Sequence, residues 1–451
     1  MVHSRKSTSN NLQNRVKDVL RSKTKQNCHL AVALSGGIDS VVLLHLLVTL
    51  SKQMQFTLSA VHINHGISSN AVRWSKFCRD LCHAYDIPIT VTQLNIRKES
   101  GVSLEAAARY GRYQVFNHLT SDYVILAQHL DDQAETLLLQ LLRGAGTKGL
   151  GAMPILRKQT SDVAPQILRP LLDVSRSKIE EYAKQNTLNW INDESNDNTV
   201  FDRNFLRHEI LPLLGKRYPA YQKTLSRSSH HLAEASDLLN ELAEIDSKDC
   251  IISGKLQVNK LRLLSIPRAK NLLRFTLSQQ GATLPSTTKL DDMLHQLLSS
   301  RIDAQLHIPF GNTEVRCYQG SMYVLPRKPP PKTEWQITWQ GEKLLKLDNS
   351  NSFINFSHSK NMGINFQKLV ENPVTIRQRL GGERFCPDCK RPRRSLKNLL
   401  QEASIPPWDR KILPLLFSGD QLVWVPGIGV ECTFQVRQEE SGLVPIWQVE
   451  Q

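Results

Sequence analysis

The sequence predicts an α/β protein with a doubly wound, mainly parallel sheet, followed by a small helical domain and a C-terminal α+β domain. First, apolar runs such as HLAVAL, LSAVHI and YVILAQ alternate with helical patterns such as SVVLLHLLVTL from residue 28 to about residue 193, as buried parallel strands alternate with crossover helices. Second, the charged, leucine-spaced stretch HLAEASDLLNELAEID indicates helices. Third, the proline run in LPRKPPPKTEW precedes short alternating strands and the helix SLKNLLQEA.

These patterns divide the 451 residues into five predicted segments. They are an N-terminal extension and helix (1–27), the sheet domain (28–215), the helical domain (216–325), a proline-rich linker (326–332) and the C-terminal domain (333–451). The division agrees with the roughly 100 to 200 residues of an ordinary domain.

Composition excludes whole-chain disorder and membrane insertion. Hydrophobic residues make up 40% and charged residues 22% of the chain, and no window approaches the ~18 uninterrupted apolar residues of a membrane span. The 57 Lys and Arg residues outnumber the 42 Asp and Glu residues, which gives a formal charge of +15 and favours a polyanionic partner. The N-terminus lacks the apolar core of a signal peptide, and the dispersed cysteines suit a reducing compartment. We therefore expect a cytoplasmic protein.

The sharpest motif is the turn between the first strand and its helix. It predicts a phosphate-binding loop formed by Ser35, Gly36, Gly37, Ile38, Asp39 and Ser40. The glycines let backbone N–H groups approach an anion, the serine hydroxyls add donors, and the helix N-terminus supplies positive potential. The chain has no G-x-x-x-x-G-K-[ST] motif. The alternative is an ordinary glycine turn in which Asp39 caps the helix.

Two further acids, Asp131 and Asp132, follow the apolar run YVILA. They belong at the carboxyl end of a strand, where ligands bind in open α/β sheets, and so at the same mouth as the Ser35–Ser40 turn. Asp39 and Asp132 can hold Mg²⁺ on phosphates or orient an amine. The alternative is that Asp131 or Asp132 only caps the following helix.

Three arginines are candidates for neutralising phosphoryl charge or gripping RNA. Arg109 and Arg112 fall three residues apart on one helical face, and Arg143 closes the QLLRGAG turn. Solvated surface arginines are the alternative, more so for Arg109 than for the other two.

The segment DESNDNTVFDRNFLRHE offers Arg203 and Arg207 to phosphate or to internal acids, whereas Asp202 fits a structural role at a turn. His62 and His65 border the second strand, where a structural hydrogen bond is favoured over catalysis.

Near the C-terminus, residues Ile376 to Lys397 hold eight cationic residues against Glu383 and Asp388. The cations are Arg377, Arg379, Arg384, Lys390, Arg391, Arg393, Arg394 and Lys397. This density predicts a phosphate-contacting loop, with a solvated charged loop as the alternative. Cys386 and Cys389 provide half of a zinc site, but no second pair follows at finger spacing, so free thiols are expected.

The turn at residues 35–40 matches SGGxDS, the signature of the PP-loop (N-type) ATP pyrophosphatases, which the chain resembles. The blocks VHINHGISSNAVRWSKFC, SLEAAARYGRYQVF, ILAQHLDDQAETLLLQLLRGAGTKGLGAM, LRPLLDVSRSKIEEYA and WINDESNDNTVFDRNFLRHEILPLL resemble, in order, those of the tRNA(Ile)-lysidine synthetase family. The stretch from VTIRQRLGGERF to VPGIGV resembles that family's C-terminal domain. The resemblance implies the long, three-domain form of the enzyme.

The resemblance further implies ATP and Mg²⁺ as cofactors, with free L-lysine and a CAU-anticodon isoleucine tRNA as substrates. The implied reaction adenylates the C2 oxygen of the wobble cytidine, and the lysine ε-amine then displaces AMP. The expected catalytic residues are Asp39, Asp132, Arg112 and Arg143. Asp39 is also expected to bind Mg²⁺ that accompanies ATP. The residues expected to bind RNA are Arg203, Arg207 and the eight cations of residues 376–397.

Two alternatives stay open. A tRNA thiolase uses the same loop, but would be expected to carry CxxC and a third Cys in the catalytic domain, whereas Cys78 and Cys82 form CxxxC. A non-catalytic RNA-binding protein is disfavoured because Ser35, Asp39 and Ser40 are intact. The oligomeric state is open, with a homodimer among the alternatives.

Overall fold

The computed structural model describes residues 2–66, 70–94, 104–158, 164–194, 198–301, 306–327, 335–347 and 352–449. Contacts divide the chain into two compact units, Met1–Leu242 and Ala243–Gln451. Most of the predicted linker, from residue 328 onward, lies outside the described residues. The predicted boundary after residue 215 falls inside the helix Leu211–Arg217. No helix in the described ranges is long and apolar enough to cross a bilayer.

A six-stranded sheet forms the centre of the first unit. Its strands are β1 (Cys28–Ala33), β2 (Phe56–Asn64), β3 (Ile89–Gln93), β4 (Tyr123–Ile125), β5 (Leu156–Arg157) and β6 (Gln166–Leu168). Their spatial order is β3-β2-β1-β4-β6-β5, and every pair is parallel except β5 with β6. The predicted doubly wound, mainly parallel sheet is therefore confirmed.

Helices precede, connect and follow these strands. They are α1 (Val2–Lys23), α2 (Ile38–Ser51), α3 (Ala71–Ala84), α4 (Leu104–Asn117), α5 (Leu130–Leu142), α6 (Thr147–Leu150), α7 (Arg176–Gln185), α8 (Asp202–Phe205), α9 (Leu211–Arg217) and α10 (Tyr221–Cys250), with a π-helical turn at Leu206–Ile210. Helix α2 is apolar on every side because it is buried between the sheet and other helices, contacting α1 and α7. A second cluster packs Phe116 of α4 against Val124 and Ile167. The helices thus leave the carboxyl ends of β1, β2 and β4 open at one edge.

The middle region contains a sheet that the sequence analysis did not predict. Its helices are α11 (Val258–Leu261), α12 (Ile266–Gln279) and α13 (Thr287–Ser299). Its strands are β7 (Ile251–Ile252), β8 (Lys255–Gln257), β9 (His307–Phe310), β10 (Thr313–Tyr318) and β11 (Ser321–Pro326), in the antiparallel order β7-β8-β11-β10-β9. The region predicted as helical is therefore helix plus sheet, because strands of two to six residues leave little periodic signal.

The C-terminal region has the predicted α+β character. Its strands are β12 (Gln336–Thr338), β13 (Leu344–Leu347), β14 (Ser352–Lys360), β15 (Val374–Gln378), β16 (Arg384–Phe385), β17 (Arg394–Ser395), β18 (Pro414–Ser418), β19 (Gln421–Val425), β20 (Gly429–Val430) and β21 (Ser441–Val449). They form sheets ordered β12-β15-β18-β19-β20 and β13-β14-β21, and the hairpin β16-β17. The helices are α14 (Phe366–Val370), α15 (Leu396–Glu402) and α16 (Pro407–Arg410), with a 3-10 turn at Cys432–Phe434.

Candidate active site

The turn after β1 closes around the hydroxyl of Ser40. Its Oγ accepts hydrogen bonds from the backbone N–H groups of Ser35 and Gly36, both at 3.2 Å, and donates to the carbonyl of Gly37 at 2.9 Å. Gly36 has a φ of +89°, a conformation that favours glycine, and a Cβ there would come within 2.9 Å of Ile191 Cδ1. Gly37 is the N-cap of α2 and Asp39 lies in the first helical turn. Asp39 is therefore not the helix cap of the alternative interpretation.

A cleft of about 620 Å³ opens beside this turn. It brings together the predicted residues Ser35, Asp39, Ser40, Arg112, Asp132, Arg203 and Arg207. Gly36, Gly37 and Ile38 belong to the turn but are not among the lining residues. The remaining walls include the aromatic side chains of Trp74, Tyr113 and Phe116. Flat apolar walls with a few convergent polar groups are typical of a site for a nucleotide or base.

His129 lies at the centre of an acidic cluster that adjoins this cleft through Asp39 and Asp132. Its side chain is 2% exposed, and its Nε2 lies 3.7 Å from Asp39 Oδ1 and 3.5 Å from Asp132 Oδ2. On the other side of the ring, Nδ1 lies 3.7 Å from Asp131 Oδ2. Carboxylates from α2 and α5 thus converge on one imidazole. Their mutual repulsion is relieved by a cation placed among them.

The carboxylate of Asp39 has hydrogen-bonding capacity that its neighbours meet only in part. Its Oδ2 lies 3.5 Å from Arg176 Nη1, whereas its Oδ1 is buried and has no hydrogen-bond partner among the described residues. Burial raises the pKa of Asp39, although His129 and Arg176 act in the opposite direction. A buried carboxylate oxygen without a donor fits Mg²⁺, so Asp39 would be able to hold such an ion, which would neutralise phosphate charge.

Asp132 and Glu135 form a buried network with Arg203 and Arg207. Arg203 Nη2 lies 2.7 Å from Asp132 Oδ1, and Arg203 Nε lies 2.6 Å from Glu135 Oε2. Arg207 Nε donates to Glu135 Oε1 at 2.7 Å and its Nη2 to Oε2 at 2.9 Å. Burial tends to raise the pKa of Asp132, but His129 and Arg203 outweigh it and the pKa is lowered.

This network shows one of the two kinds of partner that the sequence left open for Arg203 and Arg207, the internal acids. Both guanidinium groups bind internal acids and line the cleft wall, and both are 27% exposed. RNA binding by either arginine stays a prediction. Arg203 and Arg207 lie on α8 and on the π-helical turn, a geometry that is frequent at functional sites.

The two histidines beside β2 differ in their hydrogen bonding. His62 Nδ1 lies 2.8 Å from the carbonyl oxygen of Leu34, which is the structural bond the sequence favoured. Burial lowers the pKa of His62. Burial, together with Arg112 and His62, lowers the pKa of His65 to about 4. Both rings line the cleft, and the lowered pKa values favour the uncharged form of each ring.

The three candidate arginines of the sheet domain have different positions. Arg109 and Arg112 line the cleft. Arg143 is the C-cap of α5 and lies 3.6 Å from Asp202 Oδ2, both side chains being largely exposed. The structure thus does not bring Arg143 to the cleft, because the thirteen residues of α5 separate it from Asp132 by nearly the length of the helix. The position of Arg143 gives no support to its predicted catalytic role, which stays a prediction.

Most cations of residues 376–397 have a partner within the C-terminal region. Arg377 stacks over the Phe417 ring at 3.8 Å, and Arg393 Nη2 lies 2.7 Å from Glu431, which is 2% exposed. The others pair as Arg379 with Glu383, Arg391 with Asp388 and Arg394 with Glu402, while Arg384 donates to the carbonyl of Arg393. Lys390 and Lys397 are exposed and form no ion pair with the described residues. The segment thus mixes structural and outward-facing cations.

A third cysteine accompanies the pair Cys386 and Cys389. The N–H of Cys432 donates to the carbonyl of Cys386 at 2.8 Å, and hydrogen bonding with Cys389, together with burial, raises the pKa of Cys432 to about 12. No group of three or more metal-binding side chains occurs in the described ranges. None of these three cysteines forms a disulfide within the described part of the chain, and free thiols stay a prediction.

Several residues near the cleft, which do not themselves line it, were missed by the sequence analysis. Glu135 is 1% exposed and forms ion pairs with Arg203 and Arg207. The side-chain amide of Gln133 donates to the carbonyl of Met153 and accepts from its N–H, both at 2.9 Å. Arg169 directly follows β6 and Arg176 begins α7. The strand-end rule that identified Asp132 would have identified Arg169 too. Glu135 had no such signal, because its role depends on a residue about seventy positions away.

Comparisons with known proteins agree with this architecture. Residues 8–214 match the PP-loop domain family, residues 256–323 the TilS substrate binding domain and residues 374–447 the TilS substrate C-terminal domain. The chain is 50% identical to the tRNA(Ile)-lysidine synthase of Nitrosomonas europaea, over 96% of this chain and 94% of that protein. It is 36% identical to the enzyme of the same name from Coxiella burnetii, over 94% and 93%, and 37% identical to that from Azoarcus sp., over 93% and 91%.

Proposed function

We propose that this chain, which belongs to the tRNA(Ile)-lysidine synthase family, ligates free L-lysine to C2 of the wobble cytidine in the CAU anticodon of isoleucine tRNA. The products are lysidine, AMP and pyrophosphate. As a PP-loop ligase it uses ATP, and its relatives are named for tRNA(Ile). Beyond the use of ATP and the family's tRNA, the proposal specifies the attacking amine, the adenylated intermediate and the catalytic residues.

The first half-reaction activates the cytidine. The C2 oxygen attacks the α-phosphorus of ATP and pyrophosphate leaves, because a carbonyl oxygen is a poor leaving group until a phosphoryl group takes its charge. The donors of the Ser35–Ser40 turn, at the N-terminus of α2, lie where they can hold the phosphates. Asp39, with one oxygen unsatisfied, is positioned to hold Mg²⁺ on those phosphates. Arg112 lines the same cleft and can stabilise charge on the phosphoryl group.

The second half-reaction needs an uncharged lysine amine. A second cavity, of about 250 Å³, is lined by His129, Asp131, Glu135, Arg176 and residues of α9 and α10. Its walls carry both signs of charge, which suits an amino acid with an ammonium group and a carboxylate. This cavity adjoins the acidic cluster formed by Asp39, Asp131 and Asp132 around His129. His129 and Asp131 belong to that cluster, and Arg176 contacts Asp39. A carboxylate of this cluster can orient the ε-amine and accept its proton as the amine attacks C2 and AMP leaves.

The observation that carries the proposal is that the turn, Asp39 and Asp132 all face one cleft in a chain 50% identical to a named lysidine synthase. The thiolase alternative loses support from the same structure. Cys78 and Cys82 are fully buried in the core, and burial raises their pKa values to about 12 and about 11. Such thiols are poor ligands for an iron–sulfur cluster.

Mass spectrometry of the tRNA tests the proposal. Incubation of the protein with CAU-anticodon isoleucine tRNA, ATP and isotope-labelled lysine should add one labelled lysine, less one water, to the wobble cytidine, with stoichiometric AMP. Transcripts with a CAU anticodon from methionine tRNA provide the matched control. An unmodified cytidine, or a sulfur-containing product, would contradict the proposal.

A further inference from the structure

Three guanidinium groups surround one phenol at the wall of the cleft. The Cζ atoms of Arg109 and Arg157 lie 5.1 and 5.3 Å from the ring centroid of Tyr113. Arg169 hydrogen-bonds the Tyr113 hydroxyl, and Arg109 Nη2 lies 3.5 Å from the same oxygen. Burial tends to raise the pKa of Tyr113, but the arginines outweigh it and the pKa is lowered. The phenol thus lies in a positive local environment formed by these arginines.

Strand register produces this cluster. Arg157 of β5 pairs opposite Ile167 of β6, and directly opposed residues of an antiparallel pair point to one face. Arg169 is two residues beyond Ile167 and points to that face as well. Ile167 packs in the cluster that contains Phe116 of α4 and, at its margin, Tyr113. Two sheet arginines are therefore directed at one turn of α4, where Arg109 is added.

No carboxylate balances these cations within the described part of the chain. Arg169 is 2% exposed, yet its partners besides Tyr113 are neutral: Gln128 Oε1 and the carbonyl of Pro154, the latter at 2.9 Å. Arg109 and Arg157 are exposed and contact the aromatic ring. Burying a cation without an anionic partner is costly, so an anion bound beside these residues would offset part of that cost.

We propose that Arg109, Arg157 and Arg169 around Tyr113 form a second phosphate site, distinct from the Ser35–Ser40 turn, which holds a phosphodiester of the RNA next to the target nucleotide. The inference rests on the proposed function. Arginine forks match phosphate oxygens in a bidentate manner. Tyr113, Arg109 and Gln128 line the cleft itself, so a phosphate held there lies beside the base that enters.

RNA fits this site better than a second part of ATP does. The Ser35–Ser40 turn already provides donors for the phosphates of ATP, on β1 and α2. Arg109 and Arg157 face solvent, where a polymer backbone can reach both while only its base is enclosed. A base drawn from a single-stranded loop leaves its own phosphates at the cleft mouth.

The test compares Arg157→Gln with Lys158→Gln, since both residues are adjacent, exposed and cationic, but only Arg157 contacts Tyr113. The full-length protein is titrated with isoleucine tRNA across salt, without ATP or lysine, and separately with ATP. Arg157→Gln should weaken tRNA binding about ten-fold and reduce the log K versus log salt slope by about 0.7 to 0.9, with ATP affinity unchanged. Lys158→Gln should stay close to wild type in both.

A second arm identifies the phosphate. Uncharged methylphosphonate linkages are placed singly in the anticodon loop of the tRNA. One position flanking the wobble cytidine should weaken wild-type binding and have little further effect on Arg157→Gln. Equal behaviour of the two variants, or a loss confined to ATP affinity, would overturn the site. Binding is read without ligation, so this result is independent of whether wild-type protein forms lysidine.

Discussion

At the scale of single residues, the cleft contains two aspartates whose pKa values are shifted in opposite directions. Asp39 is buried with an unsatisfied oxygen, and its pKa is raised. Asp132 is held by His129 and Arg203, and its pKa is lowered. The same substitution at the two positions should therefore affect folding in opposite directions.

Asp39→Asn should abolish AMP formation, by about 100-fold or more, and leave tRNA affinity unchanged because the cations that attract RNA lie elsewhere. Quantified AMP release under saturating ATP checks this. Asp202→Asn is the matched control, since Asp202 is exposed and pairs with Arg143 outside the cleft. Wild-type AMP release by Asp39→Asn would remove Asp39 from the chemistry.

The two aspartates should also give opposite changes in thermal stability. Because the folded-state pKa of Asp39 is raised, its contribution to stability is present at low pH and is lost as pH rises through that value; Asp39→Asn should raise Tm at pH 7. Because the folded-state pKa of Asp132 is lowered, its contribution is present at neutral pH and is lost as pH falls through that value. Asp132→Asn should lower stability at pH 7 by about 1 to 3 kcal/mol. Calorimetry at pH 7 tests both, and shifts of equal sign would refute the assignment.

At the scale of elements, α8 and the π-helical turn are held to α5 by the arginine–carboxylate network. Glu135→Ala should destabilise the protein by about 3 kcal/mol, because Arg203 and Arg207 lose one of the two buried carboxylates they share and keep only Asp132 of that pair. Adding Arg207→Ala should cost less than the two single effects combined, since the pair is already broken. Denaturant unfolding of the four members of this cycle measures the coupling, and strict additivity would mean that the contacts contribute little.

The C-terminal basic segment divides into two groups with different expected phenotypes. Arg393→Ala should lower thermal stability by about 3 kcal/mol because it leaves Glu431 buried without its cation. Lys390→Ala and Lys397→Ala should leave stability unchanged and each reduce the tRNA salt slope by about 0.7 to 0.9. Filter binding across salt and thermal melts of the same variants separate the groups. Wild-type slopes for both lysine variants would mean a solvated surface instead of an RNA contact.

At the scale of the whole molecule, what the sequence predicts depends on the range of the interactions. Apolar runs and the Ser35–Ser40 turn are local patterns, so the parallel sheet and the position of Asp39 followed directly from them. The middle sheet was missed because its strands are short, and Glu135 because its partners lie about seventy positions away. Arg169 was within reach of the strand-end rule, because it directly follows β6. The Tyr113 cluster needs the register of β5 on β6, which a two-residue strand does not reveal.

The central claim is that this cleft activates the RNA and not the amino acid. Exchange of labelled pyrophosphate into ATP tests it most directly, with wild-type protein and Asp39→Asn assayed in parallel. We predict exchange by the wild type with CAU-anticodon isoleucine tRNA and without lysine, and none with lysine alone or with the variant. Exchange that requires lysine and proceeds without tRNA would show that lysine is adenylated instead, and would contradict the account.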